Sequence, residues 1–188
     1  MSKLIVLTGL DGSGTTSVAK KLSGIDVGST ILSGVNEPYS SCREIIDRVI
    51  RDNYPIAHYL FYLSANIHAS LLAEDALRFG NVYCVRYLID TVVSHRVAGL
   101  DVRLEYETGL YRILKPDITV FLHIEENLRQ ERITERGKGF LDTTLDNESF
   151  REKFLKEFEL LAEHFYKINV ASKNVLEVVQ EIRSLISL

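Results

Sequence analysis

The loop at residues 9–16 constrains the fold of this chain more than any other segment. It reads Gly-Leu-Asp-Gly-Ser-Gly-Thr-Thr and directly follows the apolar residues 4–7. The pattern matches the phosphate-binding consensus G-x-x-x-x-G-K-[ST] except that Thr15 stands where the consensus has lysine. Such a loop joins a strand to a helix and binds phosphate oxygens through its backbone amides. The segment therefore predicts a nucleotide-binding α/β domain.

Each residue type in this loop fits phosphate chemistry. The predicted nucleotide-binding set is Gly9, Gly12, Ser13, Gly14, Thr15 and Thr16. Glycines permit the torsions that turn successive amides toward one anion, and Thr16 occupies the position whose hydroxyl binds Mg²⁺. Asp11 lies within the loop on the side where an acceptor of the phosphoryl group would bind. It is a candidate for holding a sugar hydroxyl or a metal-bound water. The alternative, a glycine-rich turn with no ligand, is disfavoured by the three glycines and the closing threonine.

Thr15 removes the positive charge that the consensus lysine carries to the β- and γ-phosphates. Loss of one well-placed transition-state donor costs roughly 2.7–4 kcal/mol, or about 10²–10³ in rate. Thr15 keeps one neutral hydrogen bond, so the substitution predicts slower transfer rather than loss of binding. Lys138 is the candidate for a replacement cation.

Composition excludes several other classes of function. The chain has 188 residues, enough for one domain, and its net charge of -4 gives no overall attraction for nucleic acid or an anionic membrane. The first residues do not resemble a signal peptide, and no apolar run is long enough to span a membrane. Cys42 and Cys84 have neither metal-ligand spacing nor the density of a disulfide scaffold. We expect a single cytoplasmic domain over residues 1–188 that binds a small molecule.

Short apolar runs alternate with helical patterns along the chain. Five strands are predicted, at 4–8, 30–32, 82–85, 118–123 and 166–170, each apolar on both faces as buried parallel strands are. Helices are predicted at 15–22, 42–53, 56–79, 104–114, 126–134, 149–165 and 175–188. This alternation predicts an α/β fold with a three-layer, doubly wound, parallel five-stranded sheet. Ligands bind at the carboxyl ends of the strands in such a fold, and the loop 9–16 follows one of these ends.

A basic segment at residues 136–146 follows neither a helical nor a strand period. It contains Gly137 and Gly139, and basic residues at 129, 132, 136 and 138 lead into it. A basic flap beside a nucleotide site is a candidate for a short lid. The alternative is a solvent-exposed helix face, because glutamates at 125, 126, 131 and 135 could pair with the arginines.

Six short motifs occur in order along most of the chain. They are G-L-D-G-S-G at 9–14, N-E-P at 36–38, L-S-A-N-I at 63–67, V-R-Y at 85–87, P-D-I-T at 116–119 and R-I-T-E-R-G at 132–137. Together they resemble the motifs of the thymidylate kinase family, which belongs to the P-loop nucleoside-monophosphate kinases. The resemblance implies transfer of the ATP γ-phosphoryl group, with Mg²⁺, to a nucleoside monophosphate that is dTMP in the family.

The resemblance also implies roles for the charged residues of these motifs. Arg48, ten residues after Pro38, and Arg86 would bind the acceptor phosphate, which suits the fork geometry of arginine. Arg132 and Arg136 would reach the transferring phosphoryl group. The implied catalytic set is Asp11, Arg86, Arg132 and Arg136.

The resemblance implies further contacts with the substrate. Asp11 would hold the sugar hydroxyl of the acceptor, and Glu37 would support the acceptor or the metal. Leu63 and Ile67 occupy the positions where the family has a stacking aromatic and an arginine that reads thymine. Members of the family form homodimers through helices such as the predicted one at 56–79, so a homodimer is implied by resemblance alone.

The chain departs from the family pattern at several linked positions. These are Thr15 for lysine, Asn36 for arginine, Leu63 for an aromatic residue, Ile67 for arginine, Val85 for aspartate, Thr143 for arginine and Ser94-His95 for Tyr-Gln. Two alternatives therefore stay open beside a kinase of dTMP. One is a kinase for another nucleotide or nucleoside, with His68 and His95 either near the base or in the core. The other is a nucleotide-binding protein with weak or no activity.

Overall fold

The computed structural model describes residues 1–106, 111–137 and 145–187. Five parallel strands form one sheet: β1 (Leu4–Gly9), β2 (Thr30–Ser33), β3 (Val82–Val85), β4 (Ile118–His123) and β5 (Tyr166–Asn169). Their order in the sheet is β2-β3-β1-β4-β5, so β1 is central. All five predicted strands are confirmed, and two of them have the predicted bounds.

In the part of the chain that the structure describes, seven α-helices connect or follow the strands. They are α1 (Thr15–Ile25), α2 (Tyr39–Val49), α3 (Pro55–Ala76), α4 (Leu88–Val97), α5 (Glu126–Arg136), α6 (Glu148–Glu159) and α7 (Val175–Ile186). A short 3₁₀ turn, Ala162–His164, precedes β5. No helix in the described part of the chain is both long and apolar enough to cross a bilayer.

The alternation of side chains along β1 builds the three layers. Leu4 and Val6 point into a core shared with α3, α4 and α6. Ile5 and Leu7 point to the opposite face and pack with residues of α1 and α7. The predicted three-layer, doubly wound sheet is therefore confirmed, and the loop after β1 emerges between helices of both layers.

One predicted helix is wrong, and one helix was not predicted. Within the predicted helix 104–114, residues 104–106 and 111–114 are not helical, and the rest lie outside the described residues. Here the amide of Ile113 donates to the carbonyl of Tyr106 at 2.7 Å, and the amide of Leu114 donates to Ser70 Oγ at 2.8 Å. These amides thus bond outside a helical ladder while neighbouring apolar side chains pack against the core.

Helix α4 was not predicted, although seven of its ten residues are buried. Its apolar residues at 88, 89, 92 and 93 follow a helical spacing, but Arg96 interrupts this short run on the same side of the helix. The helix begins where the amide of Tyr87 donates to Asp90 Oδ2 at 3.0 Å. Asp90 is the third residue of the helix, where a side chain that bonds back to the preceding amide stabilises the first turn.

Candidate active site

The loop between β1 and α1 has the geometry of an anion-binding turn. Gly12 and Gly14 have φ of 88° and 91°, in the left-handed region that side chains disfavour. The amide of Ser13 donates to the carbonyl of Leu10 at 3.0 Å and closes the turn. The first amides of α1 have no partner within the helix, as at every helix start. The loop therefore directs backbone donors and the positive end of the α1 dipole toward one place.

A first cavity, the donor cavity, opens over this loop. Its walls include five predicted nucleotide-binding residues, namely Gly12, Ser13, Gly14, Thr15 and Thr16. Gly9 lies below it, where a Cβ would come within 2.6 Å of the Leu122 carbonyl oxygen. The far wall is the turn between β5 and α7, with Lys173 and Asn174, which sequence reasoning missed. Their position after the carboxyl end of a strand was the available signal.

Two arginines of α5 supply positive charge to the donor cavity. Arg132 and Arg136 both line it, and Arg132 Nη1 donates to the carbonyl oxygen of Gly12 at 3.4 Å. Thr15, in the lysine position, is buried, whereas Thr16 is exposed beside the cavity. Lys138 and Thr143 lie outside the described residues, as does most of the predicted lid at 136–146. Among the described residues, the α5 arginines therefore bring positive charge to the cavity over this loop, as does Lys173 on its far wall.

A second cavity, the acceptor cavity, lies among α2, α3 and α4. Its polar wall contains Arg43, Asp47, Arg51, His58, Tyr62, Asn66, Asp90 and His95. Its apolar wall contains Leu145, Phe150 and Phe154. Most of these residues carried no motif and were not selected from the sequence. The arginines at 43 and 51 were visible only as two of several arginines in that region.

Asp11 and Arg86 line both cavities and separate them. Arg86 Nη2 donates to Asp11 Oδ1 at 2.8 Å, and Arg86 Nη1 donates to Asp90 Oδ1 at 3.0 Å. Arg86 holds φ of 62°, which is uncommon for a residue other than glycine. Such strain persists where the surroundings fix a residue, and here the Arg86 amide donates to the Leu7 carbonyl at 2.9 Å.

Asp90 is the buried anchor of this arginine. Its Oδ1 accepts from Thr8 Oγ1 at 2.6 Å as well as from Arg86, while its Oδ2 caps α4. Burial raises the pKa of the Asp90 carboxyl above its usual value, although the charge of Arg86 and these hydrogen bonds oppose the rise. Sequence reasoning missed Asp90, and its spacing of three residues from Tyr87 was the signal available.

A chain of hydrogen bonds crosses the polar wall of the acceptor cavity. His95 Nδ1 lies 2.7 Å from the Thr91 carbonyl oxygen, and His95 Nε2 lies 2.8 Å from His58 Nδ1. His58 Nε2 lies 3.0 Å from Asp47 Oδ1, which also accepts from Tyr62 Oη at 2.6 Å. The Thr91 carbonyl and the Asp47 carboxylate at the two ends accept, so each ring directs an outer N–H toward one end and the rings meet at their remaining nitrogens.

Burial and hydrogen bonding shift the pKa values of two members of this chain, His95 and Asp47. Burial lowers the pKa of His95 to about 4, even though its hydrogen bond to the Thr91 carbonyl acts in the other direction. Burial raises the pKa of Asp47, but hydrogen bonds from His58 and Tyr62 and the charge of Arg43 outweigh it and leave the pKa below its usual value. Both ring nitrogens of His95 are bonded, so it is a satisfied buried histidine whose edge forms part of the wall.

The structure does not bring four predicted substrate residues to the acceptor cavity. Arg48 lies on the outer face of α2, is largely exposed and pairs with Glu44 at 2.6 Å. Leu63 is buried in the core, and Ile67 packs against that core. Glu37 is exposed, and hydrogen bonds from Ser40 and Ser41 lower its pKa. The cavity-facing residues of α3 are instead Pro55, His58, Tyr62 and Asn66, which follow a helical spacing of three or four.

A central P-loop strand in a parallel sheet, with an arginine-lined cavity beside the loop, defines the class of P-loop nucleotide kinases. Within that class, a match to the family model of thymidylate kinase over residues 7–182 shows that the chain belongs to the thymidylate kinase family. It is therefore an ATP-dependent phosphotransferase that acts on a nucleoside monophosphate.

Known proteins of similar sequence cover almost the whole chain. A probable thymidylate kinase of Methanocaldococcus jannaschii is 27% identical over 190 residues, which span 95% of this chain and 92% of that protein. A thymidylate kinase of Brachyspira hyodysenteriae is 27% identical over 186 residues, which span 96% of this chain and 91% of that protein.

Solved structures share the fold at lower identity. Thymidylate kinase from Candida albicans superposes with a TM-score of 0.71 at 19% identity, covering 99% of this chain and 91% of that one. Deoxyadenosine kinase from M. mycoides superposes with a TM-score of 0.69 at 20% identity, covering 98% of this chain and 100% of that one. The fold is thus common to kinases with different acceptors.

Proposed function

We propose that this chain transfers the γ-phosphoryl group of ATP to dTMP, yielding ADP and dTDP. The observation that carries the proposal is the Asp11–Arg86 pair, which forms a common wall of the donor and acceptor cavities. Two phosphorylated ligands on either side of this pair would meet at a cationic side chain. Direct transfer requires such a meeting, because catalysis of phosphoryl transfer is largely positioning and charge stabilisation.

The donor cavity suits ATP and Mg²⁺. The backbone torsions of Gly12 and Gly14 form the nest, and Ser13 Oγ is a buried polar atom without a hydrogen-bond partner among the described residues. Thr16, exposed at the cavity, would hold Mg²⁺, which when bound neutralises charge on the phosphates. Arg132 and Arg136 would stabilise the transferring group, with Arg132 already bonded to the loop.

The acceptor phosphate would bind to Arg86 and Arg51. Arg86 stands at the shared wall, and Arg51 lines the acceptor cavity from the segment that follows α2. Arg43 is less suited, because its Nε already donates to Tyr62 Oη at 3.0 Å. We therefore assign to Arg51 the role that the sequence suggested for Arg48. Asp11 would orient the sugar end of the acceptor.

The thymine ring would lie against α3. Asn66 donates through Nδ2 to the Tyr62 carbonyl at 2.7 Å and to Thr91 Oγ1 at 2.8 Å. Its Oδ1 is buried and has no partner among the described residues. An unpaired acceptor in a cavity wall favours a base edge with a donor, and the N3–H group of thymine is one.

A coupled assay of ADP release tests the proposed function. Purified chain is supplied with Mg-ATP and each common nucleoside monophosphate or nucleoside in turn. We expect dTMP to give the highest kcat/KM, with no turnover in Arg86→Met. A higher kcat/KM for another acceptor would reassign the substrate. No turnover with any acceptor, while ATP still raises the melting temperature, would leave a nucleotide-binding protein without kinase activity.

A homodimer in the cytoplasm completes the proposal. Large apolar side chains are exposed on α2 and α3, namely Ile45, Val49, Ile56 and Leu60, each at least 55% exposed. Adjacent exposed apolar residues on two helices are typical of an association surface. Light scattering should give twice the chain mass for the wild type, and Leu60→Glu should shift the mass toward the monomer. A monomeric wild type would contradict the proposal.

A further inference from the structure

Arg129 is the largest side chain among the fully buried residues that the structure describes. A buried guanidinium is costly unless its charge is paired. Arg129 Nε donates to Glu126 Oε2 at 2.6 Å and Arg129 Nη2 donates to Glu126 Oε1 at 2.8 Å. This bidentate pair fixes the orientation of the guanidinium at the start of α5.

The aliphatic part of Arg129 supports the phosphate-binding loop. A Cβ built on Gly12 would lie 3.1 Å from Arg129 Cγ, 3.1 Å from the Arg129 carbonyl oxygen and 3.2 Å from Ile133 Cγ1. The loop backbone therefore rests directly on this side of α5. Displacement of Arg129 would alter the surface that the loop packs against.

The guanidinium of Arg129 holds a wall of the other cavity. Arg129 Nη2 donates to the carbonyl of Leu145 at 3.3 Å and lies 3.6 Å from Asp146 Oδ1. Leu145 is buried and lines the acceptor cavity. Arg151 Nη1 donates to the same carbonyl at 3.1 Å, but of these two arginines only Arg129 also supports Gly12.

We infer that Arg129 is a positioning residue that fixes the acceptor cavity relative to the phosphate-binding loop. The inference rests on the proposed kinase function and extends it to a side chain that touches neither substrate. Phosphoryl transfer depends on the distance between the two substrates, and a displacement of about 1 Å can cost about 10² in rate. Arg129 therefore acts on the rate of transfer, whereas each substrate alone still finds its own complete cavity.

The test separates transfer from binding. Arg129→Met keeps a side chain of similar length against Gly12 and removes the bonds to Glu126 and Leu145. We expect kcat at saturating ATP and dTMP to fall about tenfold or more. Dissociation constants of ATP and of dTMP, each measured alone by calorimetry, should stay within about threefold of the wild-type values.

Arg129→Lys keeps the positive charge but lacks the forked guanidinium, and it should show a similar loss of kcat. This variant also tests the inference if Arg129→Met does not fold. Arg96→Met is the matched control. Arg96 Nε also donates to a carbonyl, that of Val102 at 2.8 Å, and Arg96 lies 3.8 Å from a Glu157 oxygen, outside both cavities. Arg96→Met should lower the melting temperature but leave kcat unchanged.

Three results would overturn the inference: an unchanged kcat in Arg129→Met, wild-type activity in Arg129→Lys, or equal weakening of single-substrate binding and turnover. Failure of the proposed function is distinguished from these, because it would appear as absent turnover in the wild type.

Discussion

Arg86 Nη2 lies 2.8 Å from Asp11 Oδ1, and this ion pair forms the boundary between the two cavities. Asp90 holds the same guanidinium from the acceptor side at 3.0 Å. Two carboxylates thus fix one arginine at the place where two phosphorylated substrates would meet. Because both carboxylates bond to separate nitrogens of the fork, lysine cannot reproduce the arrangement.

Arg86→Lys should lower kcat/KM for the acceptor by about 10²–10³, since loss of one aligned transition-state donor costs roughly 2.7–4 kcal/mol. Steady-state kinetics with varied dTMP at saturating ATP measure the effect. Arg78→Lys is the control, because Arg78 is exposed and pairs with Asp75 at 3.4 Å. Equal kinetics for the two variants would contradict a role of Arg86 in transfer.

Arg51 and Arg48 differ by three positions, and only Arg51 lines the acceptor cavity. We expect Arg51→Ala to raise KM for dTMP about tenfold or more, because charge-assisted bonds to phosphate are worth about 1.5–3 kcal/mol. Arg48→Ala should leave KM within about twofold, since Arg48 is an exposed helix residue paired with Glu44. The opposite ranking would restore the assignment made from the sequence.

Arg132→Met should lower kcat by about 10²–10³, whereas Thr15→Ala should change it by about threefold or less. Arg132 bonds to the loop and carries a charge, and Thr15 is buried and neutral. Stopped assays at saturating substrates compare the two. Lys138→Ala in the same assay tests the other cation proposed from the sequence, and a loss confined to Lys138→Ala would contradict the assignment to Arg132.

His95 should make folding stability depend on pH in the acid range. Its pKa is about 4 in the folded chain and 6.5 as the reference for the unfolded chain, so the unfolded state binds protons more readily. The stabilisation is present above pH 6.5 and is lost as the pH falls toward 4. Between about pH 7 and about pH 5 the loss is about 2 kcal/mol.

Urea unfolding at the two pH values measures this loss in the free energy of unfolding. His95→Gln should be less stable at neutral pH but should lose about 2 kcal/mol less than the wild type on acidification. His164→Gln serves as the control, because His164 is only partly buried beside Glu163. An equal acid loss in the wild type and in His95→Gln would exclude His95 as the source.

The strands and the phosphate-binding loop could be predicted because their signals are local. Apolar runs such as 118–123 have no polar face, and the torsions of Gly12 and Gly14 follow from residue type. Helix α4 could not be predicted in the same way, because Arg96 interrupts the short apolar face that residues 88, 89, 92 and 93 form.

The acceptor cavity was the least predictable part. Apolar residues occur on every side of α3 itself, so its sequence does not indicate whether Leu63 or Tyr62 faces the cavity. Only the packing of α3 against α4 decides this. Asp90 and Arg129 take their roles from contacts with Thr8 and Gly12, which are 82 and 117 positions away along the chain. Such pairs have no local signature in a single sequence.

The double use of Asp90 makes one backbone amide a reporter on the active site. Asp90 Oδ2 accepts from the Tyr87 amide, while Oδ1 of the same carboxylate accepts from Arg86. Rotation of that carboxylate would release both bonds at once and leave the Tyr87 amide without its acceptor. Deuterium uptake at the Tyr87 amide would then report how often Arg86 separates from Asp90, even in a protein without turnover.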